Sequence, residues 1–558
     1  ACLLSLAVVS GCDSILDKGP LDSFTNDNFW TGEGNISGYA NAFYEQFLGY
    51  GNGNGYGDFY FKTLSDDQAG MSFAKWTYPD NAPSTSATWK NGWIEVRRAN
   101  IMLENVPTVA SLDEATKNHW LGVARLMRAW QYYHLVRMYG NLPWIDKALN
   151  INDEGEIYGN REDRDMVMDK VLEDLDFAVT NIKDISSKTT WSRSLANAMK
   201  AEVCLYEGTF RKYRKNEDGQ QAPDATGAAR YLTACKEACL AVMSKGYKLN
   251  TSYQGNYNST DLSSNPEMIL YKAYKEGLLM HSTIDYTCSS TQISGMSKNA
   301  FESYLFKDGK PMALTSLNKS DEAPFQYGHL SLKAILAVRD KRLAQTIDTV
   351  LLYNGRGFTR FNTGMESTSS TGYGVAKYDN EAIPEGFRSQ SGKNYTHAPL
   401  FWLSVIYLNY AEACAELGNI TQDDLDKSIN LLKDRAGLPH LNPIVGFSDP
   451  ANNHGVSDLI WEIRRERRCE LMFDNDNRYW DLIRWHQLDK LDTTKYPDII
   501  LGANVANDMD GCEANKVGKY IDGSKDGSRI YDKKHYLYPI PTGQIALNPQ
   551  LAPNNPGW

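Results

Sequence analysis

The sequence predicts a mainly α-helical protein, a helical scaffold that carries a loop-rich, partly irregular half with few short strands. Three observations lead there. Apolar residues recur at three- and four-residue spacing through residues 88–250 and again through 400–437, the period of an amphipathic helix. Between 251 and 399 that period fades into Gly-, Ser-, Thr- and Asn-rich sequence with short strand-like pieces, an insert too long to be a simple connection. After a second irregular stretch, 439–456, a highly charged segment returns to helical spacing over 462–473.

In chain order, the first feature is an apolar run, Leu3, Leu4, Leu6, Ala7, Val8 and Val9, ending in Val9-Ser10-Gly11-Cys12. It is far shorter than the roughly 20 residues that span a bilayer and reads as the apolar part of a secretory signal with small residues at the cleavage site. Residues 1–11 are therefore expected to be a clipped signal peptide. Cys12, directly after Val-Ser-Gly, resembles the acylated cysteine of a bacterial lipobox, so a diacylglycerol anchor is expected there. Residues 12–28, polar and broken by Gly19-Pro20, are expected to form the lipidated tether. Residues 29–558 are expected to form one unit. Its scaffold lies mainly in 88–250 and 400–437, and its ligand-facing loops mainly in 49–87, 251–399 and 438–558.

The Gly/Asn-rich stretch Gly49 to Gly55 has no Gly-Lys-Ser and follows no clear strand, so it reads as a surface loop rather than a phosphate cradle. Helices are predicted over 89–106, stopped by Pro107, and over 114–139, where Gly140 stands at the C-cap position. Further helices are predicted over 164–182, 194–213, 227–245, 401–417 and 425–436, with Gly208, Gly246 and Gly418 at or just past helix ends. Helix pairs of this size with Ala and Tyr between them resemble tetratricopeptide-type units in degenerate form. In the charged helix, Glu462 with Arg465 and Arg467 with Glu470 are i,i+3 pairs expected on an exposed face. Arg478 to Trp485 reads as a short helix with Asp481 poised between two arginines.

With 69 acidic against 58 basic residues the net charge is −11, which speaks against a nucleic-acid surface. Three glutamates also interleave the arginines of 464–468. Outside the leader, seven cysteines show neither disulfide-framework nor zinc spacing; Cys235 and Cys239, at i,i+4 among alanines, read as core thiols. No cofactor or metal is expected.

These landmarks together resemble the SusD-like (RagB-like) nutrient-binding lipoproteins of Bacteroidota outer membranes, over nearly the whole chain. They are the lipobox at Cys12, Arg97 to Leu103, Ala124 to Tyr133 continuing through Met138-Tyr139-Gly140-Asn141-Leu142-Pro143, and the segments Arg464 to Phe473 and Arg478 to Trp485. The terminal Leu537-Tyr538-Pro539-Ile540-Pro541 and Asn555-Pro556-Gly557-Trp558 complete the set. The resemblance implies a lipid-anchored protein on the exterior of the outer membrane. It implies a SusC-like TonB-dependent barrel as partner, for which the chain is a hinged lid that captures a glycan, or in some branches a peptide. It also implies that the scaffold docks on the barrel while the irregular half faces the ligand.

Two departures stand out. An Arg–Glu pair usual in the helix over 401–413 is replaced by Trp402 and Val405, a joint loss that leaves no uncompensated charge. The acidic turn Asp474-Asn475-Asp476-Asn477-Arg478 is one residue longer than the family's. It lacks the Gly and distal Glu of a calcium loop, so it reads as a turn with a helix N-cap.

Sugar-binding relatives stack rings on pyranose faces. The matching positions implied here are Asp67, Trp76 and Tyr78 beside Asp66 in the first loop, and Tyr286 and Phe301, with Tyr373 and Tyr395 further on, in the insert. Rings in polar, Gly-rich loops are expected to be exposed. The insert lacks a Trp carried by some starch binders, which counts against starch. No nucleophile elbow, His-Glu-x-x-His or Walker loop is present. Binding is therefore expected rather than catalysis, the rival reading being a surface glycoside hydrolase, which needs only two spaced carboxylates.

Overall fold

The computed structural model describes residues 29–60, 65–70, 76, 78–288, 294–317, 332–352, 369–474, 477–505, 516–524 and 527–558. Cys12, the signal segment and the tether lie outside these residues, as do Asn475 and Asp476 of the acidic turn. Helices of eight or more residues are α1 (Glu33–Asn41), α2 (Ala87–Asn105), α3 (Glu114–Tyr139), α4 (Arg164–Asn181), α5 (Arg193–Tyr213), α6 (Ala225–Met243), α7 (Leu403–Glu416), α8 (Ile429–Ala436), α9 (Asp458–Glu470) and α10 (Asn477–Arg484). Strands are short: β1 (Gln68–Ala69), β2 (Met268–Lys272), β3 (Gly295–Met296), β4 (Ala398–Trp402), β5 (Leu501–Asn504), β6 (Lys516–Val517) and β7 (Tyr520–Asp522). The fold is mainly α, as the periodicity predicts.

Helices α2 to α6 pack successively, each against the next, and α7 returns onto α6 and α9. Local chemistry fixes their ends. Ser86, Asp113, Ser192 and Asp224 each cap a helix by accepting a backbone N–H bond from Trp89, Thr116, Leu195 and Gly227. Gly140 ends α3 at φ 71°, a conformation that costs glycine little. Gly208 corrects the sequence reading. It lies inside α5, not at its end, and a Cβ there would come within 2.7 Å of Leu232 Cγ, so its missing side chain lets α5 and α6 approach.

Two predicted helices are revised. The segment from Phe401 begins as strand, because β4 pairs antiparallel with β2 (Leu270 opposite Phe401) before α7 starts at Leu403. The helix over 425–436 splits at Ser428 into Gln422–Asp426, closed by a Thr421/Asp424 capping box, and α8. β1 pairs antiparallel with β3, Gln68 opposite Met296, which ties the first loop to the insert. The third sheet has the order β5-β7-β6.

The charged helix α9 is not a solvated surface. Seven of its charged residues, Glu462, Arg464, Arg465, Glu466, Arg467, Glu470 and, on its rim, Arg468, are buried or nearly so; Glu462 and Arg465 form the expected i,i+3 pair, whereas Arg464, Glu466, Arg468 and Glu470 find partners on other elements. Glu466 and Glu470 accept from Arg342 at 2.5 and 2.8 Å, and Glu470 also from Arg435. Arg467, expected to pair with Glu470, instead donates to Asp481 at 2.8 Å. Asp481 also accepts from Arg484 at 2.8 Å, whereas Arg478 turns away to Asp66. Asp474 is likewise a core partner, accepting from Lys377 and from the Tyr257 hydroxyl, both at 2.7 Å. Carboxylates and guanidiniums buried this deeply persist because each is paired; stripping one partner typically costs about 3–5 kcal/mol.

Among the described residues the six cysteines are free and buried, Cys235 and Cys239 fully so, which fits their reading as core thiols. No described helix is long and apolar enough to cross a membrane.

Candidate functional site

A cavity of about 540 Å³ opens along α9. Helical geometry explains its wall: Trp461, Arg464, Arg465 and Arg468 sit at i, i+3, i+4 and i+7 and so share one face. The opposite face carries Glu462, Ile463, Glu466 and Glu470 into the core. Ser457 caps the helix by accepting from Ile460 N–H. The remaining wall is built from Arg478 and Trp485 at α10, Lys490 in the turn Leu488–Leu491, Asn299 and Glu302 on the short helix Lys298–Ser303, and Asp449 and Tyr496.

Its electrostatics are set by which cations are neutralised. Asp66 accepts two parallel bonds from Arg478, at 2.7 and 2.6 Å, a bidentate geometry that suits a guanidinium. Arg468 bonds Asp67 at 2.7 Å and Asn299 at 2.8 Å. Burial works to raise the Asp66 carboxyl, but Arg468 and Arg478 beside it hold it below the usual carboxylate range. For Asp67 burial prevails and the carboxyl is raised. Arg465 is fixed by Asp449 and Glu462. Arg464, only 4% exposed, donates Nη2 to Glu416 at 3.0 Å. Its Nε and Nη1 are buried and find no acceptor among the described residues. Glu416 is shared with Lys212 and Tyr213, so Arg464 is incompletely balanced.

Lys490 has no ion-pair partner among the described residues; its ammonium lies 4.6 Å from the Trp461 ring centroid, in cation–π range. Burial, then the charge of Arg478, pushes it down to about 7. Trp461 is half-buried, its indole N–H donating to Asp449 at 3.2 Å. Trp485 is buried, bonded to Glu412 at 2.7 Å, with the Arg464 guanidinium 4.4 Å from its ring.

The residues singled out from sequence are not gathered at one place. Asp67 lies behind the cavity, buried and bound to Arg468, while its neighbour Asp66 lines it. Phe301 is 2% exposed and stacks on Tyr373 at 4.3 Å with the rings 3° apart, beneath the wall residue Glu302. Tyr78 is buried as well, its hydroxyl bonded to Tyr479 and the His535 carbonyl and its ring stacked on Tyr538. The expected exposure of these two rings is thus corrected: Phe301 is carried on a short helix and Tyr78 on a loop, and each is buried in a local aromatic cluster. Trp76 is half-buried in the same cluster as Tyr78, stacked 4.0 Å from His535 with its N–H donated to the Ile530 carbonyl. Tyr286 pairs edge-on with Tyr56, which is 51% exposed, and Tyr395 packs half-buried against Phe387.

Sequence reasoning missed Trp461, Arg464 and Lys490. The signal was present in the 461, 464, 465, 468 spacing but was masked by the alternation of Arg with Glu.

Two family models match the chain. One, the SusD family, spans residues 241–558; the other, described as starch-binding associating with outer membrane, spans 25–205. A SusD-like protein of Formosa agariphila is 24% identical over 496 residues, 86% of this chain and 90% of that protein. One from Bacteroides ovatus is 24% identical over 498 residues, covering 85% and 79%. Among solved structures, a SusD-like carbohydrate binding protein of Bacteroides fragilis superposes with TM-score 0.69 at 19% identity, covering 94% of this chain and all of that one. A laminarin binding SusD-like protein superposes with TM-score 0.56 at 19% identity, covering 95% and 100%. Because the first model accounts for more than half of its residues, this chain belongs to the SusD family.

Proposed function

We propose that this protein binds an oligosaccharide in the α9 cavity and passes it to a SusC-like TonB-dependent barrel, staying attached to the outer face of the outer membrane through acyl chains on Cys12. The observation that carries the binding reading is the cavity itself. Its volume of about 540 Å³ falls within the range of small-ligand sites. It pairs the half-buried Trp461 ring with fixed polar groups, the combination that holds a sugar by its apolar face and its hydroxyls. Names borne by relatives, carbohydrate binding and laminarin binding, support the same ligand class. The exposed Tyr56 with the half-buried Tyr286, Trp76 and Tyr395 offer secondary ring contacts for a longer chain.

Binding without turnover is the proposed activity: Asp66, Asp449 and Glu302 are each engaged by Arg or Lys, which leaves them poor proton shuttles. A glycan array followed by calorimetric titration tests this reading. Trp461→Ala should weaken the bound glycan by about tenfold, or 1.4 kcal/mol. Unchanged affinity, binding of peptides alone, or release of shortened products would overturn it. For the tether, Cys12→Ser should move the protein from the membrane to the soluble fraction on cell fractionation.

A further inference from the structure

The charge left over at one end of the α9 cavity says what kind of glycan it takes. Three guanidiniums, Arg464, Arg468 and Arg478, stand close enough to Lys490 to act on its charge. Asp66, Asp67 and Glu416 are each ion-paired with Arg478, Arg468 and Arg464 in turn, while Lys490 has no ion pair among the described residues and feels Asp66 and Asp489 only at longer range. Glu416 is further shared with Lys212. The incompletely matched cations, Arg464 and Lys490, both line this end of the cavity. Asp66 takes Nε and Nη2 of Arg478, so Nη1 is the nitrogen left to a ligand. Arg464 is buried to 4% exposure with two donor nitrogens that no described acceptor meets. A buried, unmatched donor on a charged group is costly to keep, and the cost is recovered if an anion binds there by charge-assisted hydrogen bonds. A neutral sugar hydroxyl would satisfy the hydrogen bonds but not the charge. The Trp461 ring beneath Lys490 then supplies a surface for the sugar ring that carries the anion.

We propose that the cavity selects an acidic oligosaccharide, seating its carboxylate or sulfate on Arg464, Arg478 and Lys490 while the pyranose lies against Trp461. The inference rests on the glycan-binding reading above and adds the ligand's charge to it. The full-length protein is titrated calorimetrically with three probes of equal length: oligogalacturonides (carboxylate), chondroitin sulfate oligosaccharides (sulfate and carboxylate) and laminari-oligosaccharides (neutral). Binding of an acidic probe at least tenfold tighter than the neutral one is expected, and it should weaken as salt is raised from 50 to 500 mM. Preference for oligogalacturonides assigns the anion as a carboxylate; preference for the chondroitin probe assigns it as a sulfate. Arg464→Gln should cost the acidic probe at least tenfold, and Lys490→Gln, a partly exposed position without an ion pair, should cost it several-fold with the melting temperature unchanged. If the laminari-oligosaccharide binds tightest and Lys490→Gln leaves all three unaltered, the anion assignment falls while glycan binding stands. If no saccharide binds, or only acidic peptides do, both fall.

Discussion

Burial and the neighbouring Arg478 guanidinium push the Lys490 ammonium down to about 7, with Arg464 and Arg468 acting in the same sense and Asp66 against it. Below that pH the side chain is mostly charged; above it, mostly neutral. A bound anion favours the charged form, so affinity for an acidic oligosaccharide should fall as pH rises from 6 to 8. Titrations at half-unit steps check this, and Lys490→Gln should flatten the profile. The other titratable groups around the cavity do not change charge in that window in a way that reverses the trend. Asp66 is held low by its arginines. Asp474, raised to about 6 by burial, belongs instead to the core pair with Lys377.

At the scale of elements, α9 is where sequence reading and structure part company. The long scaffold helices were legible because their apolar period has a single interpretation, and α3 runs over the predicted residues, Glu114–Tyr139. In α9 eight of the thirteen residues are charged, and seven of the last nine, so the hydrophobic pattern that distinguishes a buried face from a wet one is weak. The partners Arg342, Arg435 and Asp66 show that the helix is internal, and they lie 128, 35 and 402 residues from the α9 side chains they bind. Rings were misplaced for a related reason. Phe301 and Tyr78 sit in polar stretches of sequence, but Phe301 lies on the short helix Lys298–Ser303, stacked on Tyr373, and Tyr78 packs on Tyr538.

Glu470→Ala would leave Arg342 and Arg435 each short of an acceptor. It should destabilise the protein by about 3–5 kcal/mol, measured by urea denaturation. Gly208→Ala should cost about 1–3 kcal/mol by forcing α5 from α6 at Leu232, read in the same assay.

For the whole molecule, α9 bonds to both halves at once. Arg464 holds Glu416 at the end of α7, and Arg468 holds Asp67 in the first loop. The C-terminus adds a second clasp, the Asn555 side chain donating to the carbonyls of Tyr139 and Tyr538. The helical scaffold and the loop-rich half should therefore unfold together. Hydrogen exchange should give α3 and α9 the same opening free energy within about 1 kcal/mol, and two separated transitions would contradict it.

The bond between Asp66 and Arg478 also sets an order of events. The two residues are 412 positions apart, and Asp67 and Arg468 are 401 apart. Burying either acid before its arginine is in place would leave an unpaired carboxylate in the interior, which is costly. The amino-terminal segment is thus kept from closing alone by its own carboxylates, and the protein locks only when the last quarter of its chain is there to meet them.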